Sequence, residues 1–129
     1  MVFTERMLEA KAALEKMGHA AFVSQFADGY VGKTEAEKEA LTLVNKNNSD
    51  AIRAFWEKIK ASDAILVLNY DRRGVANYIG GNTLMEIGFA HVLGKKIFLL
   101  NPIPEIEFYK SEIEACKPVI VNGDLTLIK

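Results

Sequence analysis

The sequence predicts an α/β fold, a doubly wound parallel sheet with helices on both faces, and three observations predict it. Short apolar runs of strand length alternate with amphipathic stretches of helix length, the order that βαβ units produce. Two of those runs, Ala64-Ile-Leu-Val-Leu68 and Ile97-Phe-Leu-Leu100 (the latter in a strand from Lys96), are apolar without alternation, as strands covered on both faces are. The chain has 129 residues, half of them hydrophobic and a quarter charged, which suits one domain over residues 1–129 with a single core.

The elements follow in order. Phe3, Met7, Ala10, Leu14 and Met17 recur at steps of four and three, the stripe of a first helix that Gly18 stops. His19-Ala-Ala-Phe-Val-Ser24 reads as a short strand, and the polar stretch 25–33 follows it. Thr34-Glu-Ala-Glu37 has the spacing of a capping box and opens a second helix, which the Asn-rich cluster 45–50 is expected to break. A third helix sets Ile52, Phe55, Trp56 and Ile59 on one face. The strand at Ala64 leads into a long loop, 69–81, rich in glycine, asparagine and arginine. Asn82 or Thr83 then caps a fourth helix that runs to Leu93 and stops at Gly94. After the Lys96 strand come Asn101-Pro-Ile-Pro104, a short helix over 105–115 and a last strand over 118–121. Four to five strands in one parallel sheet is the resulting expectation.

Composition narrows the function. Lys and Arg number 16 against 17 Asp and Glu, so no basic surplus exists for the backbone of a nucleic-acid polymer. The apolar runs are too short to span a bilayer, and Glu5, Arg6, Glu9 and Lys11 interrupt any signal-peptide pattern. The single Cys116 excludes an internal disulfide and suits a reducing compartment, so a cytoplasmic protein is expected. His19 and His91 have no companions at metal-ligand spacing, and neither a metal nor a cofactor is expected.

In a doubly wound sheet, ligands bind where the strands end at their carboxyl edge. The richest such place is Tyr78-Ile-Gly-Gly-Asn-Thr-Leu-Met-Glu-Ile-Gly-Phe-Ala90. A glycine turn before a helix lets a ligand approach the free N–H groups of the helix end. Glu86 falls in the first turn, where the helix dipole favours an ionised carboxylate, the group that attack on a glycosidic carbon requires. Thr83-Leu-Met-Glu86 is equally a capping box, in which Glu86 only bonds back to the Thr83 N–H. Asp71, Arg72 and Arg73 read either as a solvated turn or as a phosphate clamp.

Ser62-Asp-Ala-Ile-Leu-Val-Leu-Asn69, the Asn77–Ala90 stretch and Leu93-Gly-Lys-Lys-Ile-Phe-Leu-Leu100 resemble the nucleoside 2-deoxyribosyltransferase superfamily. The resemblance spans about 52–100 and implies a flavodoxin- or Rossmann-like sheet. It also implies that the glutamate of Glu86-Ile-Gly-Phe-Ala90 attacks C1′ of a deoxyribonucleoside or its monophosphate. Gly80, Gly81, Asn82 and Thr83 would then cradle the sugar or phosphate, with Asn69, Tyr70 and Asn77 as polar groups of the pocket. The expected partner is a small nucleoside or nucleotide, and a homo-oligomer is expected. A nucleotide-binding or sensing module without turnover is the alternative. Two carboxylates usual in the family's transferases are replaced, by Gly80 six residues before Glu86 and by Phe55 on the preceding helix. The family also begins with a strand and a Gly-Ser loop, whereas Met1-Val-Phe-Thr4 already opens a helix. The expectation is an upstream start, direct pairing of the Phe22 strand with the Val67 strand, or a partner that fills the gap.

Overall fold

The computed structural model describes residues 3–23 and 31–129, and its contacts form two compact units, Met1–Phe55 and Trp56–Lys129.

In the first unit, α1 (Thr4–Lys16) ends as the stripe predicts. Gly18 turns to φ +93°, a conformation that glycine adopts without a Cβ penalty, and the His19 N–H closes on the Leu14 carbonyl at 3.0 Å. Residues 19–23 then run without regular secondary structure, so the expected strand His19–Ser24 does not form over them; Ser24 and the stretch 25–30 lie outside the described residues. Ala20 and Ala21 bring little β preference to that segment. α2 (Glu35–Ser49) starts with the predicted capping box: the Glu37 N–H donates to Thr34 Oγ1 at 3.2 Å and the Thr34 N–H to Glu37 Oε1 at 2.9 Å. Those bonds, the backbone one first, hold the Glu37 carboxyl below its usual range. The helix runs through the asparagines to Ser49 and stops only at Asp50, which is left-handed at φ +44°. Each asparagine costs only about 0.7 kcal/mol relative to alanine, too little to break a helix already propagating. Lys38, almost wholly buried, meets Glu5 Oε2 at 2.6 Å, and the Gly32 N–H donates to Glu5 Oε1 at 3.1 Å.

α3 (Ala51–Lys60) follows, with Ile59 buried. In the second unit, β1 (Ala64–Val67), β2 (Lys96–Leu99) and β3 (Val119–Ile120) form a parallel sheet in that order, with Leu66 opposite Phe98 and Leu99 opposite Ile120. Between β1 and β2 comes α4 (Gly81–Val92), which packs on both strands. α5 (Lys110–Ala115) precedes β3. Alternation along the strands gives the sheet two faces. One carries Leu66, Leu68, Tyr70, Phe98, Leu100 and Val121, covered by Leu125 and Ile128 of the C-terminal segment. The other carries Val67 and Leu99, both buried. Ile87 and Ala90 of α4 are fully buried, and Trp56 meets Phe89 edge-to-face at 5.2 Å. Gly94 at φ +72° ends α4 as predicted, with the Lys95 N–H on the Ala90 carbonyl at 2.8 Å. The fold is thus mixed α/β with a three-stranded parallel sheet among the described residues. Residues 19–23 carry no strand, so the strand expected around Phe22 is not formed over them.

Candidate active site at the carboxyl edge of the sheet

Parallel strands leave N–H and C=O groups unpaired where they end, and here two asparagines satisfy them. Asn69, fully buried just past β1, donates through Nδ2 to the carbonyls of Asn101 (2.8 Å) and Pro102 (3.1 Å). Its Oδ1 accepts from the Asn101 N–H at 2.9 Å, and Asn101 Nδ2 returns a bond to the Asn69 carbonyl at 3.0 Å. The pair clasps the ends of β1 and β2 together. Asn69, predicted as a pocket group, thus has both amide hydrogens committed to backbone.

The loop after Asn69 is a hairpin. The Tyr78 N–H donates to the Tyr70 carbonyl at 3.0 Å, and Arg72 and Val75 exchange backbone bonds at 3.0 and 2.9 Å. Arg73 and Gly74 at its tip both have positive φ, +54° and +75°, the mark of a type I′ turn. Asn77 is an extra residue on the returning strand, left-handed at φ +57°, and its N–H donates to Asp71 Oδ1 at 2.9 Å. Asp71 therefore braces a bulge, and Arg72 lies 5.7 Å from the centre of the Tyr78 ring. Tyr70, predicted as a pocket group, turns its side chain to the Phe98, Leu100 and Val121 cluster.

The return strand delivers the chain to α4. Neither Asn82 nor Thr83 caps this helix. Gly80, extended at φ −83° and ψ 173°, is the N-cap, with no side chain capping the first turn. The Leu84 N–H bonds to the Gly80 carbonyl at 2.9 Å, so the helix begins at Gly81, three residues earlier than the capping-box reading requires. Thr83 is consequently the third helical residue, and Glu86 lies beyond the first turn rather than in it. Asn82, one turn before Glu86 on the same face, donates Nδ2 to Glu86 Oε1 at 3.0 Å. Glu86 and Thr83 are half-buried, while Gly81 and Asn82 are exposed.

Two tyrosines at this helix start escaped the sequence reading. The Tyr109 hydroxyl donates to the Ile79 carbonyl, and burial, with the nearby Tyr78, pushes its phenol above the usual range. Tyr78 stands against Gly80: a Cβ built there would lie 3.3 Å from its Cε1 and 3.5 Å from its hydroxyl oxygen. Thirty residues separate Tyr109 from Ile79, so no local pattern could announce that bond; the aromatic Tyr78 beside a double glycine was the available signal.

Among the described residues no group of three His, Cys, Asp or Glu side chains is arranged to hold a metal. Burial raises the Cys116 thiol above its usual range, which opposes thiolate chemistry there. Among the same residues no helix is long and apolar enough to cross a membrane. The structure thus brings Gly80, Gly81, Asn82, Thr83 and Glu86 onto one helix start, with Asn77 and Tyr78 leading into it, and ties Asn69 into the clasp beside β2. Comparison of the chain with family models, with curated proteins and with solved structures returns no match.

Proposed function

We propose that this chain cleaves or transfers nucleoside N-glycosidic bonds, with Glu86 as nucleophile, on a sheet of the doubly wound, flavodoxin-like kind. The observation that carries the reading is the Glu86 carboxylate on α4, at the carboxyl edge of a parallel sheet, with Oε1 held by Asn82. The Asn82 bond fixes the orientation of the carboxylate, and a carboxylate of defined orientation is what attack on a sugar carbon needs. The uncapped first turn of α4 offers backbone N–H groups for a sugar hydroxyl or phosphate. The Thr83 hydroxyl, with no hydrogen-bond partner among the described residues, lies in the same turn.

In the reaction, a Glu86 oxygen bonds to C1′ and the C1′–N bond breaks. Its electron pair leaves with the base, which takes up a proton. Water, or the nitrogen of a second base, then attacks C1′ and gives up a proton, and the Glu86 carboxylate is regenerated. No cofactor or metal enters this scheme.

The reading also carries a cytoplasmic location and a homo-oligomer, the latter supported by the apolar β1 standing at one end of the described sheet. Sedimentation equilibrium tests the assembly. Release of free base from 2′-deoxynucleosides and their 5′-monophosphates tests the chemistry. The wild type should release base, and Glu86→Gln should not; full activity in that variant would dismiss the nucleophile. A second reading, a nucleotide-binding module without turnover, is favoured by Gly80 and Phe55, which stand where the resemblance to the deoxyribosyltransferase superfamily implies substrate-handling carboxylates. It predicts thermal stabilisation by the same compounds with no base released.

A further inference from the structure

The space into which a side chain at position 80 would project is already filled, and by a polar group. Gly80 has ordinary extended backbone angles, so nothing in its conformation requires glycine. What a Cβ would meet is the phenol of Tyr78, with Cε1, the hydroxyl oxygen and Cζ at 3.3, 3.5 and 3.7 Å. One side chain meets the ring, and the backbone that carries it is fixed. Arg72 lies 5.7 Å from its centre, its own N–H is fixed on the Tyr70 carbonyl, and the neighbouring Ile79 carbonyl is fixed by Tyr109. Tyr78 is half-buried, and among the described residues its hydroxyl has no hydrogen-bond partner, which leaves it open to solvent or to a ligand. A phenol that only packed would be served as well by phenylalanine, whereas an open hydroxyl at this helix start can meet a ligand.

We infer that the Tyr78 hydroxyl is a substrate contact, reaching the ligand from the space beside Gly80, and that residue 80 is glycine to admit it. This rests on the reading of Glu86 as the centre of a substrate site. A phenol is neutral at pH 7 and both donates and accepts, so it suits a sugar hydroxyl or a base edge.

The test separates the two ideas by measuring binding in the Glu86→Gln protein, with 2′-deoxyadenosine and its 5′-monophosphate as probes in isothermal titration. Adding Tyr78→Phe should weaken binding about fivefold to tenfold, the loss of one hydrogen bond, without moving Tm. Adding Gly80→Ala instead should weaken it comparably by displacing the ring, and the two changes together should cost no more than the larger one alone. Equal binding with tyrosine and phenylalanine would overturn the role of Tyr78 while leaving Glu86 to its own turnover assay. Additive losses would overturn the claim that Gly80 acts through that hydroxyl. If the Glu86→Gln protein binds neither probe, the inference falls together with the reading beneath it.

Discussion

Replacing Asn69 by alanine separates a structural role from a ligand-binding one. The change removes three hydrogen bonds, two from Nδ2 to the carbonyls of Asn101 and Pro102 and one from the Asn101 N–H to Oδ1. Asn69 is fully buried, Asn101 half-buried and Pro102 exposed, so water can re-solvate the carbonyls more readily than the Asn101 N–H. An orphaned buried donor costs ~1–3 kcal/mol, and each replaced carbonyl bond ~0.5 kcal/mol. The sum is a loss of about 2–4 kcal/mol. Asn69→Asp, of nearly equal volume, keeps the acceptor but turns a second oxygen toward two carbonyls, so it should cost at least as much. The assay is urea unfolding followed by the fluorescence of Trp56, the chain's one tryptophan, which packs on Phe89 in the same unit. A loss below ~0.5 kcal/mol, the range of an ordinary surface substitution, would refute the clasp. If probe binding vanished as well, Asn69 would return to the pocket.

Further outcomes follow from other contacts. Hydrogen bonding to the Lys38 ammonium, chiefly, lowers the Glu5 carboxyl from 4.5 to about 2. A depressed carboxyl stabilises the fold above its unfolded value and loses that contribution as pH falls through the folded one. The Tm gap between wild type and Glu5→Gln should therefore be full at pH 7 and close between about pH 4.5 and 2; a constant gap would contradict the pairing. Gly94→Ala places a Cβ at φ +72° and should cost ~1 kcal/mol in urea unfolding, whereas Gly88→Ala, inside α4 with nothing near a built Cβ, should cost nothing or stabilise. Glu86→Gln should change stability by less than ~0.5 kcal/mol while ending base release, and a large loss of stability would mark the carboxylate as structural.

What was legible in the sequence was what is decided locally. Thr34 and Glu37 announce their capping box because both partners lie within one turn, and Gly18 and Gly94 announce helix ends through a conformation that few other residues tolerate. The apolar runs of β1 and, after Lys96, of β2 are legible because strands covered on both faces do not alternate apolar with polar residues. The start of α4 misled, because Thr83-Leu-Met-Glu86 satisfies the capping-box spacing while Gly80 already provides the extended residue a helix needs before its first turn. The hairpin stayed hidden because Arg73 occupies a left-handed turn position where asparagine or aspartate would be the recognisable signal. The roles of Asn69 and Tyr109 depend on partners about thirty residues away, Asn101 and Ile79, which no periodicity encodes.

The Arg73–Gly74 turn makes the hairpin a natural splice point. Its last rung, the paired bonds of Arg72 and Val75, closes before the tip, so a peptide inserted between Arg73 and Gly74 leaves the rung, the bulge and the clasp chemically untouched. The two ends of such an insert would emerge side by side, and Arg72, directly beneath, lies over the Tyr78 ring. A fluorescent reporter grafted there would sit one residue from the side chain that covers this ring. The hairpin thus offers a handle for a genetically encoded sensor that requires no alteration of α4.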